Sequence, residues 1–302
     1  MRLGDDEALV AALSGRHVSL LDVAHIDERL KLSNRLLRLA DAAGDPEREM
    51  QALQARIFDV LMVGDVPGAR LLHERLDALA RELRQPLFAH FVVGWACTFA
   101  QMDGRLEEAE RLAGESYEMR RALGTQDAES VLAAQMFMIR RAQGRLGEIL
   151  PAVVDAVGRH PALAAWRSAL PLAHLAAGDE GRARAELVSL VDGLGSIPRD
   201  FFWLTAMTML AEASGALRAA GPAERLYRDL APYASRWVQI GYAASDGPVA
   251  RSLGMLAAAR GDAAQSVAHL EHALDLCTAA GAAAFEARAR GDLAGTAAAP
   301  QA

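Results

Sequence analysis

The sequence predicts an all-α protein: a superhelical stack of about seven antiparallel helix pairs, each burying its apolar stripe against its neighbours. Three observations carry this reading. Ala dominates a composition in which aromatic residues are only 5%, and Ala loses no side-chain entropy on entering a helix. A turn glycine followed by a short polar-to-apolar pattern recurs as "GDVPGA", "GRLEEA", "GRLGEI", "GDEGRA", "GPAERL" and "GDAAQS". These begin at Gly64, Gly104, Gly144, Gly178, Gly221 and Gly261, so they stand 40, 40, 34, 43 and 40 residues apart. Self-similarity at such a period marks stacked repeats. The segments between these glycines follow a 3.6-residue apolar period, and none alternates convincingly as a strand.

The elements can be justified along the chain. The start, "MRLGDDEALVAAL", is acidic and lacks a long apolar core, which is not the pattern of a signal peptide. Residues 86–124 show the unit most clearly. "PLFAHFVVGWACTFAQMDG" is an apolar helix opened by Pro86 and stopped at Gly104. "RLEEAERLAGESYEMRRALG" then sets Leu106, Ala109, Leu112 and Ala113 on one face, with Glu and Arg opposite. Thr125 or Asp127 is expected to cap the helix that follows. Looser junctions fall after Gly44 and around His160, Gly195 and Gly247. In "SIPRDFFWLTAMTML", Pro198 and Asp200 open a helix, with Asp200 as a cap or first-turn acid. Phe201, Phe202 and Trp203 then point in three directions 100° apart; at least one is expected in the neighbouring repeat and Trp203 towards the concave side. None of the junctions is a long linker. A single domain over 1–294 is expected, with 295–302 as a disordered tail. "AAAFEARARGDLAG" reads as the first helix of a repeat lacking its second, which implies a trimmed chain or a face covered by dimerisation through that end.

These stretches resemble a known family. "GRLEEAERLA" matches the tetratricopeptide pattern, and Cys97 and Gly254 stand seven residues before their turn glycines, where that repeat takes a small residue. The period near 40 is longer than the standard repeat and is similar to the repeat region of MalT-type transcriptional regulators. Over most of the chain, segments such as "QMFMIRRAQGRLGEILP" and "GPVARSLGMLAAARGD" resemble the C-terminal repeats of large actinobacterial-type regulators. Those proteins carry an AAA/STAND ATPase with a LuxR-type DNA-binding or nucleotide-cyclase domain. The resemblance implies a right-handed α-α superhelix. It carries over no catalytic activity, because this chain has neither a G-x-x-x-x-G-K-[ST] loop nor an evident helix-turn-helix.

Composition narrows the function further. A net charge of −7, with Arg interleaved among Glu and Asp, argues against direct nucleic-acid binding. No apolar run approaches the ~18 residues of a membrane span. Cys97 and Cys277 are two distant cysteines in apolar contexts and read as small core residues; a cytoplasmic, reducing location is the default expectation. His269 and His272, one turn apart, lack a third metal ligand in sequence, and His90 and His174 read as satisfied structural histidines. No nucleophile–base motif appears, and no cofactor or metal is expected.

What remains is a contact surface. In such stacks the first helix of each pair lines the concave face. Counting back from the turn glycines places Phe91, Gln101, Met138, Arg141, Ser168, Arg251 and Met255 there, and Trp95 joins this set. The family's recurring motifs add Gln135, Arg140, Trp166, Arg167, Asp200 and Trp203. Arg and aromatic residues together suit a binding face. The competing reading for each Trp is core filling; for Arg141 and Arg251 it is an internal salt-bridge ladder to Asp200, Glu212 or similar. The leading expectation is therefore a non-enzymatic scaffold binding a protein partner or sister domain in signalling or transcriptional regulation. A small-molecule sensor with Arg140, Arg141 and Arg251 as counter-charges is the alternative, and an atypical enzyme the third.

Overall fold

The computed structural model describes residues 3–298 except Gln85. Helices dominate them. The first pairs are α1 (Leu3–Ser19), α2 (Ile26–Ala43), α3 (Pro46–Met62), α4 (Val66–Leu83), α5 (Pro86–Met102) and α6 (Leu106–Ala122). The middle holds α7 (Ala128–Ala142), α8 (Leu150–Arg159), α9 (Ala164–Ala176), α10 (Glu180–Asp192), α11 (Trp203–Ala216) and α12 (Ala220–Leu230). A β-hairpin follows, β1 (Trp237–Ile240) and β2 (Ala244–Pro248), and then α13 (Val249–Ala259), α14 (Ala263–Ala280) and α15 (Ala283–Ala298). Residues 295–298 of the expected disordered tail thus belong to a helix, and 299–302 lie outside the described residues.

Chain punctuation explains most boundaries. Gly64, Gly104, Gly144, Gly178 and Gly261 all adopt the left-handed conformation at helix stops. Where the next residue is Asp, it caps the second helix: Asp65, Asp179 and Asp262 each accept a backbone N–H three residues on. The fifth turn departs from the expected position. Arg218, not Gly221, takes the left-handed conformation (φ 47°), and α12 has already begun by Gly221. Neither expected cap of α7 is formed: Thr125 donates to the Arg120 carbonyl, and Asp127 pairs with the Arg120 side chain.

Successive helices lie against one another, α2 on α3, α5 on α6 and α13 on α14, and α11 also lies against α9 and α13. Gly254 shows why a small residue is needed there. A Cβ on it would stand 2.6 Å from Leu270 of α14, so any side chain would force the pair apart. Cys97 has the same role, buried with its Sγ donating to the Ala109 carbonyl at 3.2 Å. Burial pushes its thiol up to about 12, as it does that of Cys277, which keeps both protonated.

The hairpin is what the sequence did not announce. It lies at the junction expected to be loose, around Gly247, and runs against α3, α5, α7, α11 and α13, first helices of their pairs, and against α14. A three-residue turn, Gly241–Ala243, joins the strands, with Gly241 left-handed. Trp237 sits over the Gly64 turn, where a Cβ would come within 2.5 Å of the indole nitrogen. Gln239 donates to the Leu61 carbonyl and Thr98 to the Ala243 carbonyl. One short ribbon thereby ties the amino-terminal helices to the carboxy-terminal ones, and α15 reaches back to α5 across the same region.

Candidate functional site

Two features meet on the side of the first helices: a charged cluster and an apolar cavity. The cluster is built from α7, α11, the hairpin, α13 and α15. Arg141 donates to Glu212 and, at 3.0 Å, to Asp246. Arg251 bridges Glu212 (2.8 Å) and Asp292 (2.6 Å), and Arg288 bridges Asp246 (2.8 Å) and Glu212 (3.3 Å). Three guanidinium groups thus face three carboxylates. Burial alone would raise the Glu212 and Asp246 pKa values, but the surrounding Arg charges outweigh it and hold both below the ordinary carboxylate range. The internal salt-bridge reading of Arg141 and Arg251 is the observed one, with Glu212 as the shared partner. Asp200 has no part in it: it is exposed and accepts from the Phe202 amide at 2.9 Å, just ahead of α11.

The cavity, of about 230 Å³, draws on α7, α11 and the hairpin, which also carry members of this cluster. Phe91 of α5, Phe137 of α7, Trp166 of α9 and Met209 of α11 form its walls, and Ile240 to Ala243 of the hairpin close one side. Phe201 and Phe202, in the turn before α11, complete it. Tyr242 is the hub of the aromatic packing. Its ring lies 4.8 Å from Phe58, 5.8 Å from Phe201 and 6.1 Å from Trp95, separations at which aromatic pairs attract beyond their buried area. At the polar end stand Arg120, Asp127 and Ser130. Arg120 is buried, its guanidinium 5.3 Å from the centre of the Phe91 ring, and donates to Asp127 at 2.8 Å. Ser130 and the His160 Nε2 are 3.3 Å apart, and among the described residues no carboxylate holds the other ring nitrogen. The pair therefore lacks the third group that orients a catalytic histidine.

The other expected residues scatter. Trp95 is buried and donates to Gln54 at 2.8 Å. Gln101, Gln135 and Met138 are buried, and neither amide atom of Gln135 has a partner among the described residues. Arg140 faces away, held bidentately by Glu110 at 2.6 Å. Arg167 is exposed and Met255 half-buried against Gly215. Trp203 turns out to be core, edge-on to Tyr233 and covered by Arg199; the cavity takes Phe201 and Phe202 instead. Ser168 is buried without a partner for its hydroxyl.

Of the histidines, His90 and His174 differ from expectation. His269 and His272 point to separate partners, Tyr227 at 2.8 Å and Ser235 at 3.1 Å. His90 and His174 are buried, yet each leaves Nδ1 unpartnered among the described residues. Burial, with help from the nearby Arg120 charge, lowers His90 from its ordinary 6.5 to about 4. Burial moves His73 the same way. Between these values the unfolded chain binds a proton that the folded chain refuses, so stability falls as pH drops from 6.5 towards 4. We expect His90→Asn to flatten the dependence of urea-unfolding midpoint on pH across that interval; an unchanged slope would assign the dependence elsewhere.

No protein-family model matches this chain, and no curated protein matches it either. No helix among the described residues is long and apolar enough to cross a membrane, and no group of three or more His, Cys, Asp or Glu among them could hold a metal ion.

Proposed function

We propose that this chain is a non-enzymatic, tetratricopeptide-like helical-repeat module that takes up a small apolar molecule between its first helices and the hairpin. Occupancy is then read by a protein partner or sister domain. The observation that carries this reading is the aromatic-walled cavity of about 230 Å³. It is smaller than the usual ligand pocket, which runs from about 300 Å³, but an apolar cavity of about 150 Å³ is enough for a benzene ring. A ring-sized ligand fits that scale. A protein-docking groove on the same face fits less well, because its chosen charges, Arg141 and Arg251, are neutralised internally and the hairpin occupies the face. The resemblance to MalT-like repeats supports an inducer-type role in regulation.

The test is a thermal-shift and calorimetric titration with naphthalene and indole as neutral probes. Saturation at 100 times Kd stabilises a protein by about 2.7 kcal/mol, enough to raise the unfolding midpoint by several degrees. Ala134→Phe, which puts a ring into the cavity from α7, should keep the fold and abolish the shift. No shift with either probe in the wild type, or an equal shift in the filled variant, overturns the reading.

A further inference from the structure

Arg120 is the least satisfied charge beside the cavity. It lies on α6, a second helix, and is almost wholly buried at 2% side-chain exposure. Its Nη1 donates to Asp127, while its Nε has no partner and its Nη2 makes no hydrogen bond to any described residue. Those two nitrogens form the side-on edge of the guanidinium, the fork that takes a carboxylate bidentately. Elsewhere in this protein the same edge is used in that way: Arg145 places Nε and Nη2 on the two oxygens of Glu148 at 2.9 and 2.8 Å. A buried charge whose Nε is left without a partner is costly unless something fills it. Close by, the His90 Nδ1 is a second buried polar atom without a partner. Apart from Asp127, Ser130 and Thr205, the remaining cavity wall is apolar and aromatic, so the site has one charged end and one mostly greasy body.

Resting on the ligand-binding reading above, we infer that the cavity's ligand is an aromatic monocarboxylate, with its ring among Phe91, Trp166 and Phe202 and its carboxylate on the Nε/Nη2 edge of Arg120. This moves the counter-charge away from Arg140, Arg141 and Arg251, whose guanidinium groups are already matched by carboxylates. Asp127, more than half exposed, competes for Arg120. It therefore weakens the site without closing it.

The experiment compares 2-naphthoate with its neutral isostere 2-naphthamide by calorimetry on the full chain. In the wild type the acid should bind about ten- to a hundredfold more tightly, the range for hydrogen bonds to a charged group. Arg120→Gln should erase that preference by bringing acid affinity down to that of the amide, with any loss of amide binding much smaller than the loss for the acid. Asp127→Asn, which removes the competing carboxylate at an exposed position, should increase the preference for the acid several-fold. A variant that only perturbed the fold would weaken both probes together. Equal affinity for acid and amide in the wild type overturns the carboxylate assignment while leaving the apolar-ligand reading in place. Failure of both probes to bind overturns the two together. Should Arg120→Gln not fold, Asp127→Asn decides alone: a preference that is unchanged or reduced overturns the assignment.

Discussion

Glu212→Gln should lower the unfolding free energy by about 3–5 kcal/mol, the cost of breaking a buried ion pair by removing one partner. Glu212 accepts from Arg141, Arg251 and Arg288 at once. With Gln in its place, three guanidinium groups face only Asp246 and Asp292, and the excess charge is held in a cluster whose side chains are only 7–28% exposed. The loss should appear as a reduced urea midpoint with an unchanged m-value. The comparison that gives this number meaning is Glu110→Gln, which breaks the bidentate pair with Arg140 at a carboxylate 39% exposed. That change should cost no more than about 1 kcal/mol, as surface pairs do. Equal effects at the two sites would mean that the central cluster is as wet as the rim. The acid limb follows with a definite sign. Glu212 and Asp246 both have folded pKa values held below their ordinary values of 4.5 and 3.8. Their stabilisation is therefore complete above those values and is lost as pH falls below them through the depressed ones.

The helices were legible because their signals are local. Apolar spacing at i, i+3 and i+4, a stop at a turn glycine and a capping Asp all lie within one turn of the boundary they mark. Where the signal fails, the boundary moves, as at Arg218, where a non-glycine residue holds a left-handed turn by its context. The hairpin was illegible for a different reason. Trp237 to Ile240 are all buried, and so are four of the five residues of β2. A strand covered on both faces shows no alternation, and four residues are too few to distinguish a strand from a helix end. Its defining contacts, Trp237 on Gly64 and Gln239 on Leu61, lie more than 170 residues away in sequence.

The site was half legible for the same kind of reason. Counting from turn glycines finds residues on first helices, so it reached Phe91 and Arg141 but passed over Arg120 on a second helix. A signal for Arg120 was present in the stripe itself. Ala109, Leu112, Ala113 and Ser116 are buried along α6, and Arg120 continues that line four residues on. A charged residue at the end of an apolar stripe asks for a buried partner. By contrast, nothing in "DFFWL" tells which ring faces the cavity. The start of α11 decides it: Trp203 enters the helix and the core, and the two Phe rings stay in the turn.

The hairpin also makes the strongest claim open to a single truncation. Tyr242→Ala should destabilise the protein by about 3–5 kcal/mol, the range for removing a packed aromatic ring. The ring sits at its turn among Phe58, Trp95 and Phe201, so its loss unpacks contacts to α3, α5 and the start of α11 together. Burial pushes its hydroxyl up to about 12, so the ring is neutral at any working pH. Tyr242→Phe therefore keeps the packing and should change stability by less than about 1 kcal/mol. The ring has a second consequence. It lines both the cavity beside Arg120 and another of about 220 Å³ between α1, α2 and α3. Truncation should join the two spaces, so that the Ala variant, once stabilised at low temperature, accepts a three-ring probe such as anthracene that the wild type refuses. Calorimetry on the Ala and Phe variants side by side decides it. If they match in stability and in probe size, the hairpin is a loose cover, not a packed wall. If only the Ala variant loses stability and admits the larger probe, residue 242 sets the size limit of the site.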